Sequence, residues 1–296
     1  MDTHAQYVSL NLPVDETVCF SDHKGVPSAK MQVHQEKFLI KAAALLKTVL
    51  RPDEKVLLVA PACSPMGVLE QLTTGWIIVY IKRCLLVVTT SRVIHLPTKT
   101  DFSTRQSVAE ISLGDIMQAK VSTFLGRALT LKYRNGKTEK FVYVDGKAVR
   151  KLKQLLPGLI GKGEQSTTGG RRHICPRCSQ PLEPRHYACR QCFLEFKDRS
   201  RAIRYSILYP GGGYFYTGHP VLGILDAIVE AFLTLLVLVN LLVVVSGERG
   251  RDEAAAGLVV FLIVLVIEKL VTIFHASHYV DEYVPAKSDF APVDRR

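Results

Sequence analysis

The chain has 296 residues, enough for two or three folding units rather than one small core. Hydrophobic residues make up 48% and charged residues 22%, which excludes a disordered chain, and no collagen-like or heptad bias is present. The 38 Lys and Arg exceed the 27 Asp and Glu by 11, and the mean hydropathy of +0.15 owes most of its excess to residues after 205.

Four of the seven cysteines pair in two short motifs, while Cys19, Cys63 and Cys84 stand alone; this is not a secreted disulfide framework. Met1 to Pro13 has no basic segment followed by an apolar one, so no cleavable signal is expected. With no Asn-x-Ser/Thr sequon, these features favour a reducing, cytosolic location for the chain ahead of its apolar third.

In chain order, residues 1–33 have weak periodicity and are expected to form an arm, extended or added to a sheet. From His34 to Leu50 the apolar residues Phe38, Ala42, Leu45, Leu46 and Val49 recur at helical spacing, and Pro52 stops the helix. Lys55–Ala60, Gly75–Lys82, Cys84–Thr89, Arg92–Pro97, Ala128–Tyr133 and Lys140–Val144 are predicted strands, rich in β-branched and aromatic residues. Arg134–Lys137 contains Asn-Gly and predicts a hairpin turn. An amphipathic helix over Lys147–Leu156 places Val149, Leu152, Leu155 and Leu156 on one face and ends at Pro157 and Gly158. Cys63 and Cys84 are packing or surface residues on this reading.

Leu50-Arg-Pro-Asp-Glu-Lys55 leading into a strand, the pair Leu86 to Ile94 with Val88, Thr89 and Arg92, and Ile111 to Ala119 as a further strand resemble a bacterial pleckstrin-homology-like domain over about residues 36–157. The resemblance implies a small barrel or curved sheet capped by a C-terminal helix, and a module that binds lipids, peptides or another copy of itself. The first loop, Pro61 to Thr74, has no dense basic comb, so phosphoinositide recognition is not expected.

Gly158 to Gly170 is rich in Gly, Ser and Thr and predicts a flexible linker. Gly158, Gly161 and Lys162 fall short of a phosphate loop in spacing, and no Ser or Thr follows the lysine. Cys175-Pro-Arg-Cys178 and Cys189-Arg-Gln-Cys192 are two CxxC turns ten residues apart. Each turn can present two thiolates to one tetrahedral ion, and together they fill all four positions, the pattern of a closed structural zinc site. An iron centre of rubredoxin type or a dithiol pair are the alternatives. The segment resembles a zinc ribbon over residues 172–196, with His173 and His186 as bystanders and one structural zinc ion as cofactor.

From Lys162 to Arg204, ten basic residues face four acidic ones. This block suits an anionic lipid surface near residues 197–204; nucleic acid is the weaker alternative. Val221–Val245 is a nearly continuous apolar run of 25 residues, about 37 Å as a helix and enough for a hydrocarbon core of about 30 Å. A second apolar run spans Ala254–Phe274. The turn between them, Ser246–Glu253, is net negative, whereas the flank before the first span is strongly basic, so the positive-inside rule places both ends in the cytoplasm.

Asp226 and Glu230 share a helix face, with Asn240 within roughly 40° of it; Glu268, Thr272 and His275 form a stripe on the second helix. Intramembrane ionisable groups raise an ion or proton site, against a structural reading in which a pair such as Glu230 with Lys269 docks the helices. Pro210, Gly211, Gly213, Tyr216 and Gly218 lie in a Gly- and Tyr-rich stretch expected at the membrane interface. They match the Pro-Gly-x-Gly-x-x-Tyr-x-Gly signature of small bacterial two-transmembrane domains, a resemblance covering about residues 203–275. It implies a membrane hairpin and no catalysis.

The expected fold class is a multi-domain membrane protein: an α+β pleckstrin-homology-like barrel or curved sheet with a capping helix, a zinc ribbon and a transmembrane helical hairpin. Its parts are an arm (1–33), the sheet domain (34–157), a linker (158–171), the ribbon (172–196), a basic and Pro/Gly interfacial segment (197–220), the hairpin (221–275, spans 221–245 and 254–274) and a cytoplasmic tail (276–296). No HExxH, Gly-x-Ser-x-Gly or Walker lysine is present, and no catalytic residue is assigned. The leading expectation is a non-enzymatic adaptor in a bacterial inner membrane, with the bilayer and a protein, or a second copy, as partners. An oligomeric ion-handling assembly and a membrane tether for nucleic acid are the alternatives.

Overall fold

Val-, Leu- and Ile-rich runs between Val56 and Ser112 build the first sheet of the computed structural model, which describes residues 3–123, 126–247 and 250–287. Strands β1 (Val56–Cys63), β2 (Arg83–Thr89), β3 (Arg92–Pro97) and β4 (Val108–Ser112) pair antiparallel in sequence order. Strands β5 (Ile116–Ser122), β6 (Ala128–Tyr133) and β7 (Thr138–Phe141) form a second antiparallel sheet. A short strand β8 (Arg172–Ile174) adds to β4 as the fifth strand of the first sheet.

Both faces of the first sheet are covered, so its strands are near-continuous apolar runs rather than alternating ones. Leu58, Ala60, Ala62, Leu86 and Val88 pack with Leu129, Leu131, Tyr133 and Phe141 of the second sheet and with Val149, Leu152 and Leu156. Val56, Val59, Leu85, Val87, Ile94 and Leu96 instead pack on Phe38, Leu39, Ala42, Leu46 and Val49. A register shift between Val56 and Leu58 puts Val56 and Val59, three apart, on the same side.

The helix carrying Phe38 to Val49 follows two short helices, α1 (Thr3–Val8) and α2 (Glu16–Cys19), and is α3 (Ala29–Val49). It begins five residues ahead of the expected His34 because Ser28 caps it, accepting the Met31 N–H. The first 33 residues are therefore no extended arm: Tyr7, Cys19 and Phe20 enter the α3 core, and only Val14 bridges β1. This bridge matters because β1 is an edge strand. Its free backbone groups are met at Val56 by Pro13 and Asp15, at Cys63 by Val142, and at Val59 by Gln35 of α3. The buried Gln35 amide accepts the Val59 N–H at 2.7 Å and donates to its carbonyl at 3.0 Å, so the edge is closed to other chains.

Three further expectations are corrected. Gly75–Lys82 is not a strand: the excursion between β1 and β2 holds α4 (Val68–Thr74), a 3₁₀ turn (Gly75–Ile77) and α5 (Ile78–Ile81). Cys63 already pairs with Arg83, leaving this apolar run no sheet edge to join. Ile111–Ala119 is broken by a 3₁₀ turn, Leu113–Asp115, that carries the chain from one sheet to the other. Helix α6 (Gly146–Leu159) runs through Pro157 into one further residue pair, keeping Leu156 fully buried.

The segment after α6 is not free either. Leu113 accepts the Gly161 N–H, Asp115 accepts the Ser166 N–H at 3.0 Å, and Gly169 accepts the Asn135 N–H at 3.1 Å. Asn135 and Gly136 make the β6–β7 turn, with Gly136 at φ +80° as that hairpin requires.

A second unit, described by itself, runs from Phe196 to Ala286. It contains α7 (Arg199–Leu208), α8 (Gly212–Thr217), α9 (Pro220–Ser246) and α10 (Arg251–Val280). The two long helices, of 27 and 30 residues, reach about 40 and 45 Å, and both are long and apolar enough to cross a membrane. Helix α10 extends past the expected end at Phe274 and takes in the first residues of the expected tail. Glu248 and Arg249 of the turn, and the tail from Ser288, lie outside the described residues.

Candidate functional site

The four paired cysteines converge. Cys175 Sγ lies 3.5 Å from Cys192 Sγ, Cys178 Sγ lies 3.5 Å from Cys189 Sγ, and all four sulfurs fall within 4.8 Å of one another. A tetrahedral ion with bonds of about 2.3 Å needs sulfur separations of about 3.8 Å, whereas a disulfide needs about 2.05 Å. The arrangement fits a metal ion, and none of the seven cysteines is in a disulfide.

Local chemistry builds this geometry twice. In each turn the first cysteine's carbonyl accepts an N–H from the residue after the second: Ser179 at 2.8 Å and Phe193 at 2.9 Å. Both residues take positive φ, +58° and +56°. Amides within each turn also point at the first sulfur, from Arg177 and Cys178 to Cys175 and from Gln191 and Cys192 to Cys189. Without an ion, burial pushes the Cys175 thiol far up and Cys178 up to about 11, so the ion must displace protons to bind. His173 and His186 are not part of the cluster; His173 lies in β8, where burial first and Arg171 second hold it down at about 3.

The cysteine module is seated on the sheet domain rather than spaced from it. Thr48 of α3 donates to the Pro176 carbonyl at 2.9 Å, and Ser179 donates to the Thr48 carbonyl at 3.1 Å. Beside it, Arg172 of β8 forks onto Glu110 of β4 at 2.6 Å. Glu110 and Glu54 share the buried Arg92, whose Nε and Nη2 meet Glu54 at 2.8 and 2.6 Å and whose Nη1 meets Glu110. Glu54 and Arg92 come from two of the three sequence segments that carried the first family resemblance, and here they join.

In the second unit, the Gly- and Tyr-rich stretch is a packing device. Gly211 has φ +65° and its Cα faces the Gly223 carbonyl so closely that a side chain there would strike it. A Cβ on Gly213 would collide with Ser206 Oγ and meet Ala276 at 3.0 Å. Tyr216 accepts the Asp198 N–H at 2.9 Å and stacks on Tyr205 with ring centroids 5.2 Å apart. Gly218, at φ +84°, ends α8, and Pro210 immediately precedes the turn into it.

Of the six polar residues placed on the two helix faces from sequence, four come together: three acids and Thr272. Asp226, Glu230 and Glu268 each bring a carboxylate oxygen within 4.8 Å of the others. Glu230, 1% exposed, accepts from Lys269 Nζ at 2.7 Å, the pairing anticipated from sequence, and Lys269 also donates to the Ser206 carbonyl at 2.8 Å. Thr272 Oγ1 sits between Asp226 Oδ1 and Glu268 Oε1, 3.0 Å from each. His275 goes elsewhere, to the Tyr214 hydroxyl at 2.6 Å, and Asn240 bonds its own helix at the Leu236 carbonyl. Ser206 and Tyr214, which sequence reasoning did not assign to this region's chemistry, belong to elements outside the two spans.

Comparison with family models, with curated proteins and with solved structures gives no match for this chain.

Proposed function

We propose that this protein is an integral membrane adaptor of a bacterial inner membrane, carrying a cytoplasmic pleckstrin-homology-like binding domain stabilised by one structural zinc ion. One observation carries the reading. In the most apolar stretches of α9 and α10 only 11% and 6% of residues are buried, which leaves apolar surface that lipid covers far better than water.

The rest supports it. Four strands, then three, then helix α6 closing the space between two sheets is the order expected of such a domain. Four thiolates suit zinc, and with no coordination position left for substrate the ion holds the fold and performs no reaction. Exposed Arg199, Arg201 and Arg204 on α7 favour anionic headgroups and a cytoplasmic face. The test is photo-crosslinking from the sheet domain in native membranes, combined with protease added outside intact cells. The adaptor reading expects one defined adduct, to a partner or to a second copy, and full protection of residues before Pro220. No adduct, or cleavage of the cysteine module from outside, contradicts it.

A second reading, an oligomeric ion-handling assembly, is favoured by the acidic cluster in the hairpin. The mass of the detergent-extracted particle separates the two, because one hairpin cannot enclose a path and several copies are needed.

A further inference from the structure

We propose that Asp226, Glu230 and Glu268, with the Thr272 hydroxyl, bind one hard divalent cation such as Mg²⁺, Mn²⁺ or Ca²⁺ inside the helical hairpin. The inference goes beyond the adaptor reading and concerns the second unit alone.

Charge is the first argument. Three carboxyl groups meet one ammonium, Lys269, so full ionisation would leave two negative charges uncompensated between α9 and α10. Stranding such charge away from water costs several kcal/mol per ion. One divalent cation brings the sum to zero, and a monovalent ion does not.

Unsatisfied oxygens are the second, independent argument. Glu230 is 1% exposed; its Oε2 is taken by Lys269, and its Oε1 has no hydrogen-bond partner. Glu268 Oε2 is likewise buried without one. Each is an acceptor aimed into protein with nothing to accept from, a state that buried carboxylates do not tolerate. Thr272 sharpens the point. Its hydroxyl has one proton yet lies 3.0 Å from an oxygen of each of two carboxylates, Asp226 and Glu268. It can donate to one; against the other, lone pairs face lone pairs unless a cation or a carboxyl proton lies between them.

Size and donor type select the ion. A spread of 4.8 Å between ligand oxygens is about twice an oxygen–calcium bond of ~2.4 Å, so the atoms can close on one ion with little movement. All donors are oxygen, which suits Mg²⁺, Mn²⁺ or Ca²⁺ and disfavours metals that seek sulfur or nitrogen. The thiolate cluster is the opposite case, so the chain would hold two ions of different chemistry.

The experiment uses the full chain in mild detergent with Mn²⁺ as a paramagnetic probe, zinc being silent in the same spectrum. Wild type is expected to bind one Mn²⁺ per chain, displaced by Mg²⁺ or Ca²⁺. Asp226→Asn and Glu268→Gln, which leave the Glu230–Lys269 pair in place, are expected to weaken binding about 10- to 100-fold with zinc content and helicity unchanged. No Mn²⁺ bound by wild type overturns the proposal. So does binding that persists in both variants, which puts the ion elsewhere. An infrared band of protonated carboxyl in wild type, lost in Glu268→Gln, with no Mn²⁺ bound, overturns it in favour of protons.

Discussion

Replacing Arg92 by Met tests how the sheet domain is held together. Arg92 is 3% exposed and gives four hydrogen bonds: two to Glu54, one to Glu110 and one to the Val49 carbonyl at 2.7 Å. Without the guanidinium, Glu110 keeps the Arg172 fork, whereas Glu54 keeps only neutral donors, Thr89, Ser91 and the Arg51 N–H. The loss is thus one stranded carboxylate, about 3–5 kcal/mol, equivalent to roughly 10 °C in the melting temperature of a unit this size. Burial alone would raise the Glu54 carboxyl, but Arg92 beside it holds it below the usual carboxylate range. In wild type that contribution is present above the unfolded value near ~4.3 and lost as pH falls through the depressed folded value. In the variant Glu54 gains by protonation instead, so the deficit is large at pH 7 and shrinks toward acid. Adding Glu54→Gln should recover part of it. Scanning calorimetry of the sheet-domain transition across pH is the assay, and a deficit that does not change with pH refutes the charge argument, leaving only lost packing.

Replacing Cys189 by Ser should abolish bound zinc, read by elemental analysis, and speed hydrogen exchange in residues 175–195 while leaving β1 to β3 protected. Asp145 caps α6 by accepting the Lys147 and Ala148 N–H groups; against the upward push of burial, His34 and these amides hold it at about 2. Asp145→Ala should cost about 1–2 kcal/mol at pH 7, a difference that fades as pH falls below ~3.9, in paired denaturation series. His173, held down at about 3, contributes stability that is full above ~6.5 and lost as pH falls toward 3, so His173→Asn should flatten the acid limb of the stability curve. Gly213→Ala should destabilise the hairpin unit by about 1–3 kcal/mol, read as a lower thermal transition in detergent, because Ser206 and Ala276 occupy the space.

What the sequence made legible were patterns whose physics is local. Cysteine spacing gave the four-thiol cluster, long apolar runs gave the two helices, and Asn135-Gly136 gave the hairpin turn. What it hid depended on who the neighbours are. The run Trp76-Ile-Ile-Val-Tyr-Ile81 has strand composition, but a strand needs an edge, and β1 had already paired with β2. The first 20 residues looked featureless because each short helix contributes only one or two core anchors, Tyr7 and then Cys19 with Phe20. Strand β8 has three residues, too few for a period to show, yet it joins the cysteine module to the sheet. In the hairpin, helical spacing placed Asp226 beside Glu230, while the contribution of Ser206 required α7 to pack where no periodicity could place it.

The most direct test of the account is extraction of native membranes with alkaline carbonate, which releases peripheral proteins and leaves bilayer-spanning ones. The chain is predicted to remain entirely in the pellet and to require detergent for release. Recovery as a monomer in the carbonate supernatant would show that α9 and α10 do not lie in lipid.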